Sequence, residues 1–301
     1  MADGSVAGWV WVVFTLGAAT AQTFRNAAQR SLVERLGTVG ATHVRFIFGL
    51  PFALLILWTV WLVFGDVPRL TLTSVGWTAT GAVSQIAATA LMLAAMRERS
   101  FVVSTAYIKT EPVQVAVFAA VFLGERITTS LAAAIVIATA GVLALSWPSR
   151  MGREIYSWRP APLGVAAGGF FALSAVGFRG GITALDSGDF VPAATLTLVI
   201  SLSIQTVLLS AWLLIRQPKT LIAIFRLWRV SAPAGFLGAF ASEMWFLAFA
   251  IQNPAKVRTL ALVEILIAGI ISRRLFSQTP SLRDIAGMAL VCFGMILLFN
   301  G

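Results

Sequence analysis

Long apolar runs, each closed by charge, glycine or proline, set the rhythm of this chain. They occupy about residues 6–31, 39–64, 73–96, 100–122, 128–147, 161–185, 190–215, 231–251, 254–276 and 281–299. Each is close to the roughly 20 residues an α-helix needs to cross a bilayer. Helices are the natural reading, because lipid offers no partner to an unsatisfied backbone group. The pattern predicts an all-α integral membrane protein with ten transmembrane helices. The first run, starting near Val6, is too long and too poorly flanked by positive charge for a cleaved signal peptide, and is read as the first span.

The longest charged connector, Ser149–Arg159, lies near the middle of the chain, so a repeat is sought across it. Thr20-Ala21 and Phe24-Arg25 match Ser174-Ala175 and Phe178-Arg179 at an offset of 154 residues, and Glu111 matches Glu264 and Gly141 matches Gly294 at 153. A nearly constant offset predicts two halves, 1–148 and 161–301, joined by a connector at 149–160. Five spans per half is an odd number, so the halves take opposite orientations. Two inverted five-helix repeats are the plan of many secondary transporters, whose substrate site lies near the midplane between halves.

One stretch carries a family signature: Thr110-Glu111-Pro112 entering the fourth span, Phe122-Leu123-Gly124-Glu125-Arg126 leaving it, and a following helix ending in Gly141-Val142-Leu143. With the ten-span, two-repeat plan, it resembles the EamA-type transporters of the drug/metabolite transporter superfamily. The resemblance implies export, uptake or exchange of amino acids, metabolites or similar small solutes, and a place in the plasma (inner) membrane of a bacterium. The second half departs from the motif. Phe276-Ser277-Gln278 stands where Leu123-Gly124-Glu125 stands in the first, and Ile265 stands for Pro112. Glu125, at a loop edge, reads as a helix-end or loop-fastening residue and not as a substrate ligand.

Composition supports the membrane reading. The chain is 58% hydrophobic and 11% charged, with a mean hydropathy of +0.89, against about 25% charged residues in soluble domains. A net charge of +10 would suggest nucleic acid in a soluble protein. Here arginine and lysine gather in loops, where they meet anionic headgroups, and no nucleic-acid partner is expected. The bias also speaks to orientation. Loops after odd-numbered spans hold most of the cations, from Arg30 and Arg35 through Arg97, Arg99, Arg150, Arg153, Arg159, Arg216, Lys219, Arg226 and Arg229 to Arg273, Arg274 and Arg283. Loops after even-numbered spans hold Arg69, Arg126 and Lys256. By this count both termini lie outside the cytoplasm; the family resemblance implies both inside. One cysteine (Cys292) and one histidine (His43) exclude an internal disulfide and a Cys/His metal site. No phosphate loop, dinucleotide loop or nucleophile–base constellation appears, so neither a cofactor nor an enzyme activity is expected.

Ionisable groups inside spans are costly and are site candidates by default. They are Arg25, Arg45, Lys109, Glu111, Arg179, Glu243, Lys256, Arg258 and Glu264. Arg25, Arg45 and Arg179 fall in outer thirds, where their stems could snorkel. Alternatively Arg25 and Arg45 form a cationic rim on one side of a cavity, with Arg179 at the opposite face beside Lys256 and Arg258. Glu243 and Glu264 lie well inside their spans and must find partners, either in a structural ion pair or at a substrate. Lys109 and Glu111 are two residues apart, about 200° around a helix, so each should pair with a different neighbour. Pro112 and Pro51 are candidates for helix distortion that frees a carbonyl, or for plain kinks. Tyr107 and Trp245 are candidate cavity walls. Gly168-Gly169, Gly177, Gly180-Gly181, Gly235 and Gly238 read as close helix contacts.

The function read from these residues is secondary active transport of a small polar metabolite by alternating access. Lys109 and Arg258 would attract an anionic group; Glu111, Glu243 and Glu264 would neutralise them, meet an amino group or carry a coupling proton. Buried cations outnumber the acids, which favours an amino acid or other anionic or zwitterionic solute. The partners expected are that solute, membrane lipids, and protons or a counter-substrate, with the chain a monomer or homodimer. The alternative is a lipid translocase or lipid-handling membrane protein.

Overall fold

The structure, a computed structural model, describes residues 7–97, 107–146, 160–185, 187–265 and 282–300. Outside them lie nearly all of the connector, the start of the fourth run, the end of the ninth with Phe276-Ser277-Gln278, and Arg99, Arg150, Arg153, Arg159, Arg273 and Arg274. Every regular element among the described residues is a helix. In chain order these are α1 Ala7–Ile47, α2 Gly49–Phe64, α3 Leu72–Arg97, α4 Glu111–Leu123, α5 Thr129–Ser146, α6 Pro160–Thr183, α7 Phe190–Arg216, α8 Pro218–Arg226, α9 Trp228–Ile251, α10 Pro254–Leu260 and α11 Leu282–Asn300.

Five stretches among them are long and apolar enough to cross a membrane: Ser31–Phe64, Leu72–Ala95, Pro162–Thr183, Phe190–Arg216 and Trp228–Ile251. Shorter apolar helices cover Glu111–Leu123, Thr129–Leu145 and Ile285–Phe299. The polarity of the fold is that of a multi-pass membrane protein. Leu54, Trp58 and Leu62 of α2, Val207 and Leu214 of α7, and Phe293 and Ile296 of α11 face outward, while Arg25, Gln29, His43, Arg45, Thr89, Gln205 and Glu243 are buried.

Local chemistry sets the breaks. α1 has 41 residues, or about 60 Å of helix, twice the thickness of a bilayer core. Gly37, with φ +68°, interrupts it, and Gln29 Nε2 donates to Ala41 O across the break at 2.9 Å. Glycine reaches this left-handed backbone without steric cost. α1 ends at Ile47 and α2 begins at Gly49. Pro51, in the first turn of α2, has no N–H to offer the Ile47 carbonyl. It faces outward, so it separates the two helices without bordering the polar interior. The link after α7, counted among the cationic loops, contains the short helix α8, with Ile224 buried and Lys219 and Arg226 exposed.

The most extensive helix pairs are α1 with α9, α3 with α6, and α5 with α11. The last two depend on glycine: a Cβ built at Gly177 of α6 would fall 2.7 Å from the Gly81 nitrogen of α3, and one at Gly141 of α5 would fall 2.7 Å from the Gly287 carbonyl of α11. Under the offset of the sequence repeat, α1 corresponds to α6 and α3 to α9. The α1–α9 pair is therefore the counterpart of the α3–α6 pair.

Candidate functional site

Two interrupted helical segments carry the charges of the candidate site. Tyr107 and Ile108 are helical, Lys109 and Thr110 form a turn, and α4 starts at Glu111. The turn closes through Thr110 N to Tyr107 O and Val113 N to Thr110 O, both at 3.2 Å. Pro112 stands in the first turn of α4, where its missing N–H has no helical partner to lose. It therefore starts a helix; it does not kink one. α10 breaks similarly at Ala261 and Leu262, and helix resumes at Val263. The two breaks agree with the repeat offset to within one residue, although only the first carries proline. Glu111 and Glu264 each stand just beyond a break. Gly168 and Gly169 of α6 let its backbone approach the first one, since added Cβ atoms would meet Ile108 O and Gln114 at 3.1 Å or less.

Across these breaks the charges pair crosswise. Lys109 Nζ meets the Glu264 carboxylate, and Arg258 Nε lies 3.1 Å from Glu111 Oε1. Lys109 and Glu111 thus take different partners. Thr23 Oγ1 donates to the second Glu264 oxygen at 3.4 Å. The Arg258 guanidinium stands 4.1 Å above the Trp245 ring, a cation–π distance, and Trp245 Nε1 donates to Gln22 Oε1 at 3.1 Å.

Arg25 and Arg45 lie beside this array, each only 1% exposed. They neither snorkel nor form a rim, because neighbouring helices cover them. Arg45 donates from Nη1 to Thr89 Oγ1 at 3.3 Å and from Nη2 to Ser242 Oγ at 3.2 Å. Arg25 donates from Nη2 to Asn26 Oδ1 at 2.7 Å. Both stems pass Gly238 of α9, where a Cβ would fall 3.0 Å from Arg45 Cγ and 3.6 Å from Arg25 Cδ. Arg25 is within electrostatic reach of Arg258 and Glu264, and Arg45 of Arg25 and Arg258. Among the described residues neither forms an ion pair with a carboxylate, and Arg25 Nη1 and Arg45 Nε have no hydrogen-bond partner.

Other candidates stand apart. Glu243 turns from the cations toward α7, where its carboxylate accepts from Thr195 Oγ1 at 2.6 Å. Arg179 does not join Arg258. Its Nε lies 3.1 Å from Glu125 Oε1, and its Nη1 donates to the Phe249 and Ala250 carbonyls. Glu125 also accepts from Asn253 Nδ2 at 3.2 Å, while Asn253 Oδ1 caps α10 by accepting from Ala255 N. Gly124, with φ +65°, ends α4 and turns the chain so that Glu125 reaches these partners. Lys256 shares this side: with Glu125, Arg126, Thr128, Gln252 and Asn253 it lines a cavity of about 470 Å³. Tyr107 is half-buried, and its carbonyl accepts from Thr110 N and Oγ1.

Sequence reasoning missed Gln22, Thr23, Thr89 and Ser242. The repeat held a signal for two of them: Thr89 and Ser242 are hydroxyls 153 residues apart, the same offset as Glu111 and Glu264.

Residues 9–147 match the family described as the EamA-like transporter family. No curated protein matches the chain. A protein of known crystal structure shares the fold, with a TM-score of 0.67 over 97% of both chains at 13% identity.

Proposed function

We propose that this chain, whose residues 9–147 match the EamA-like transporter family, is a secondary active transporter for a small anionic or zwitterionic organic solute. It is a transporter and not an enzyme, as its family is. The ten helical stretches act as two inverted five-helix repeats, at residues 1–148 and 161–301, in a bacterial inner membrane. The solute enters by alternating access.

The observation that carries the substrate class is the Arg25–Arg45 pair, two buried guanidinium groups without a carboxylate among the described residues. A buried charge is stable only with a partner. Here the nearby acids are committed, Glu264 to Lys109 and Glu111 to Arg258. A solute carboxylate or phosphate placed between Arg25 and Arg45 supplies the missing counter-charge. An amino group on the same solute would compete with Lys109 or Arg258 for Glu264 or Glu111. Releasing either pair frees one interrupted helix from the other, which links binding to movement of the halves.

The test is thermal stability of the detergent-purified protein against amino acids, carboxylates, phosphate esters, organic cations and lipids. A ligand at 100 times its Kd stabilises the folded state by about 2.7 kcal/mol. Carboxylates or phosphates should raise the melting temperature, and Arg45→Met should abolish that shift. Stabilisation by organic cations alone would overturn the reading. Stabilisation by lipids alone would favour lipid translocation, which one observation supports. A cavity of about 610 Å³ between α1 and α9 opens outward and is lined by Val13, Leu16, Phe24, Phe236, Leu237 and Phe240.

A further inference from the structure

The anion site leaves one buried acid without a task. Glu243 is 4% exposed, on the face of α9 turned to α7. Its Oε1 accepts from Thr195 Oγ1 at 2.6 Å, and its Oε2 has no partner among the described residues. The helices packed against α9 are α1, α2, α6, α7, α8 and α10. Their described charged side chains are engaged or turned elsewhere. Arg25 and Arg45 lie along Gly238 and Ser242, on another face of α9. Arg258 of α10 stacks on Trp245, and Lys256 lines the cavity beside Glu125. Arg179 of α6 is held by Glu125 and the last carbonyls of α9. His43 of α1 lies 2.9 Å from Ser210 of α7. Glu34, Arg35, Arg216, Lys219 and Arg226 are exposed, and α2 has no ionisable side chain.

A bare carboxylate in this position loses its hydration and gains no counter-charge. A proton on Oε2 removes that cost, and Thr195 donates to Oε1 whether or not the proton is present. We propose that Glu243 is a proton-binding site that couples solute movement to the proton gradient, loading from one side of the membrane and releasing to the other. The proposal rests on the transport reading above. α9 is the physical link. Through Gly238, Ser242 and Trp245 the same helix touches Arg25, Arg45 and Arg258, so a change of charge on its α7 face bears on the anion site.

Infrared difference spectra over a pH series read the C=O stretch of protonated carboxyl groups. The expected result is a band that disappears on alkalinisation, is absent from Glu243→Gln, and is displaced but still titrates in Thr195→Val. The last variant keeps the carboxyl and carries the test if Glu243→Gln does not fold. A wild-type spectrum matched by Glu243→Gln at every pH overturns the proposal, and so does a Glu243 band that never titrates. In proteoliposomes, with L-glutamate and inorganic phosphate as probes, an imposed pH gradient should accelerate wild-type uptake several-fold. In Glu243→Gln it should have no effect, while exchange continues; gradient-driven uptake equal to wild type in that variant would also sink the idea. A titrating Glu243 in a protein that no anion stabilises overturns the anion reading alone. Anion stabilisation without a titrating Glu243 overturns this proposal alone.

Discussion

Arg25 and Arg179 stand 154 residues apart, at matching positions of the sequence offset, yet among the described residues only Arg179 has a carboxylate partner. Glu125 serves Arg179; the residue at its repeat position is Gln278, an amide that carries no charge to give. Glu125→Gln should therefore cost stability, by about 1.5–3 kcal/mol for hydrogen bonds to a charged group, and leave anion-dependent stabilisation intact. Thermal melts with and without carboxylate check both. Glu264 behaves differently. Its side chain and that of Lys109 are 19% and 18% exposed, so the pair is partly screened. Glu264→Gln should damage transport while the protein still folds; wild-type transport by that variant would remove Glu264 from the mechanism. In a double-mutant cycle with Lys109→Met, the coupling energy should be about 0.5–3 kcal/mol, because each single change strands the other group.

At the scale of elements, the first two runs, expected as 6–31 and 39–64, divide instead at Phe48, since α1 continues past Gly37 to Ile47. The helices Leu72–Ala95, Pro162–Thr183, Phe190–Arg216 and Trp228–Ile251 were legible because the demand lipid makes is local. The fastening role of Glu125 was legible for the same reason, since Gly124 and the loop edge fix it locally. Partners across helices were not. Nothing in the spacing of Lys109 and Glu111 says that Arg258 and Glu264 complete them crosswise. The burial of Arg25 and Arg45 was not legible either, because distance from a span end does not measure cover by other helices. Proline also misled: the break at Lys109–Thr110 has a counterpart at Ala261–Leu262 with no proline, so the turn belongs to the segment and not to one residue. Pro112→Ala should then change stability by no more than about 1 kcal/mol. Gly177→Ala should cost about 1–3 kcal/mol by overpacking, because its Cβ would meet backbone of α3. Melting curves of the two variants separate these expectations.

For the molecule as a whole, the proposed repeat supplies nearly everything twice: the interrupted helices, the acids beyond them, and the glycine-lined pairs α1–α9 and α3–α6. Arg45 is an exception. Its repeat position is Leu198, yet the two hydroxyls that hold it, Thr89 and Ser242, are repeat counterparts, one from each half. Removing either, as Thr89→Ala or Ser242→Ala, should weaken anion-dependent stabilisation to a similar degree, read from ligand titrations of the melting temperature. Under the proposed repeat, a group clasped equally by both halves would lie near the axis that relates them, where duplication cannot make a second copy. For the proposed anion site the consequence is a stoichiometry, one anion held by each chain and one solute carried in each cycle.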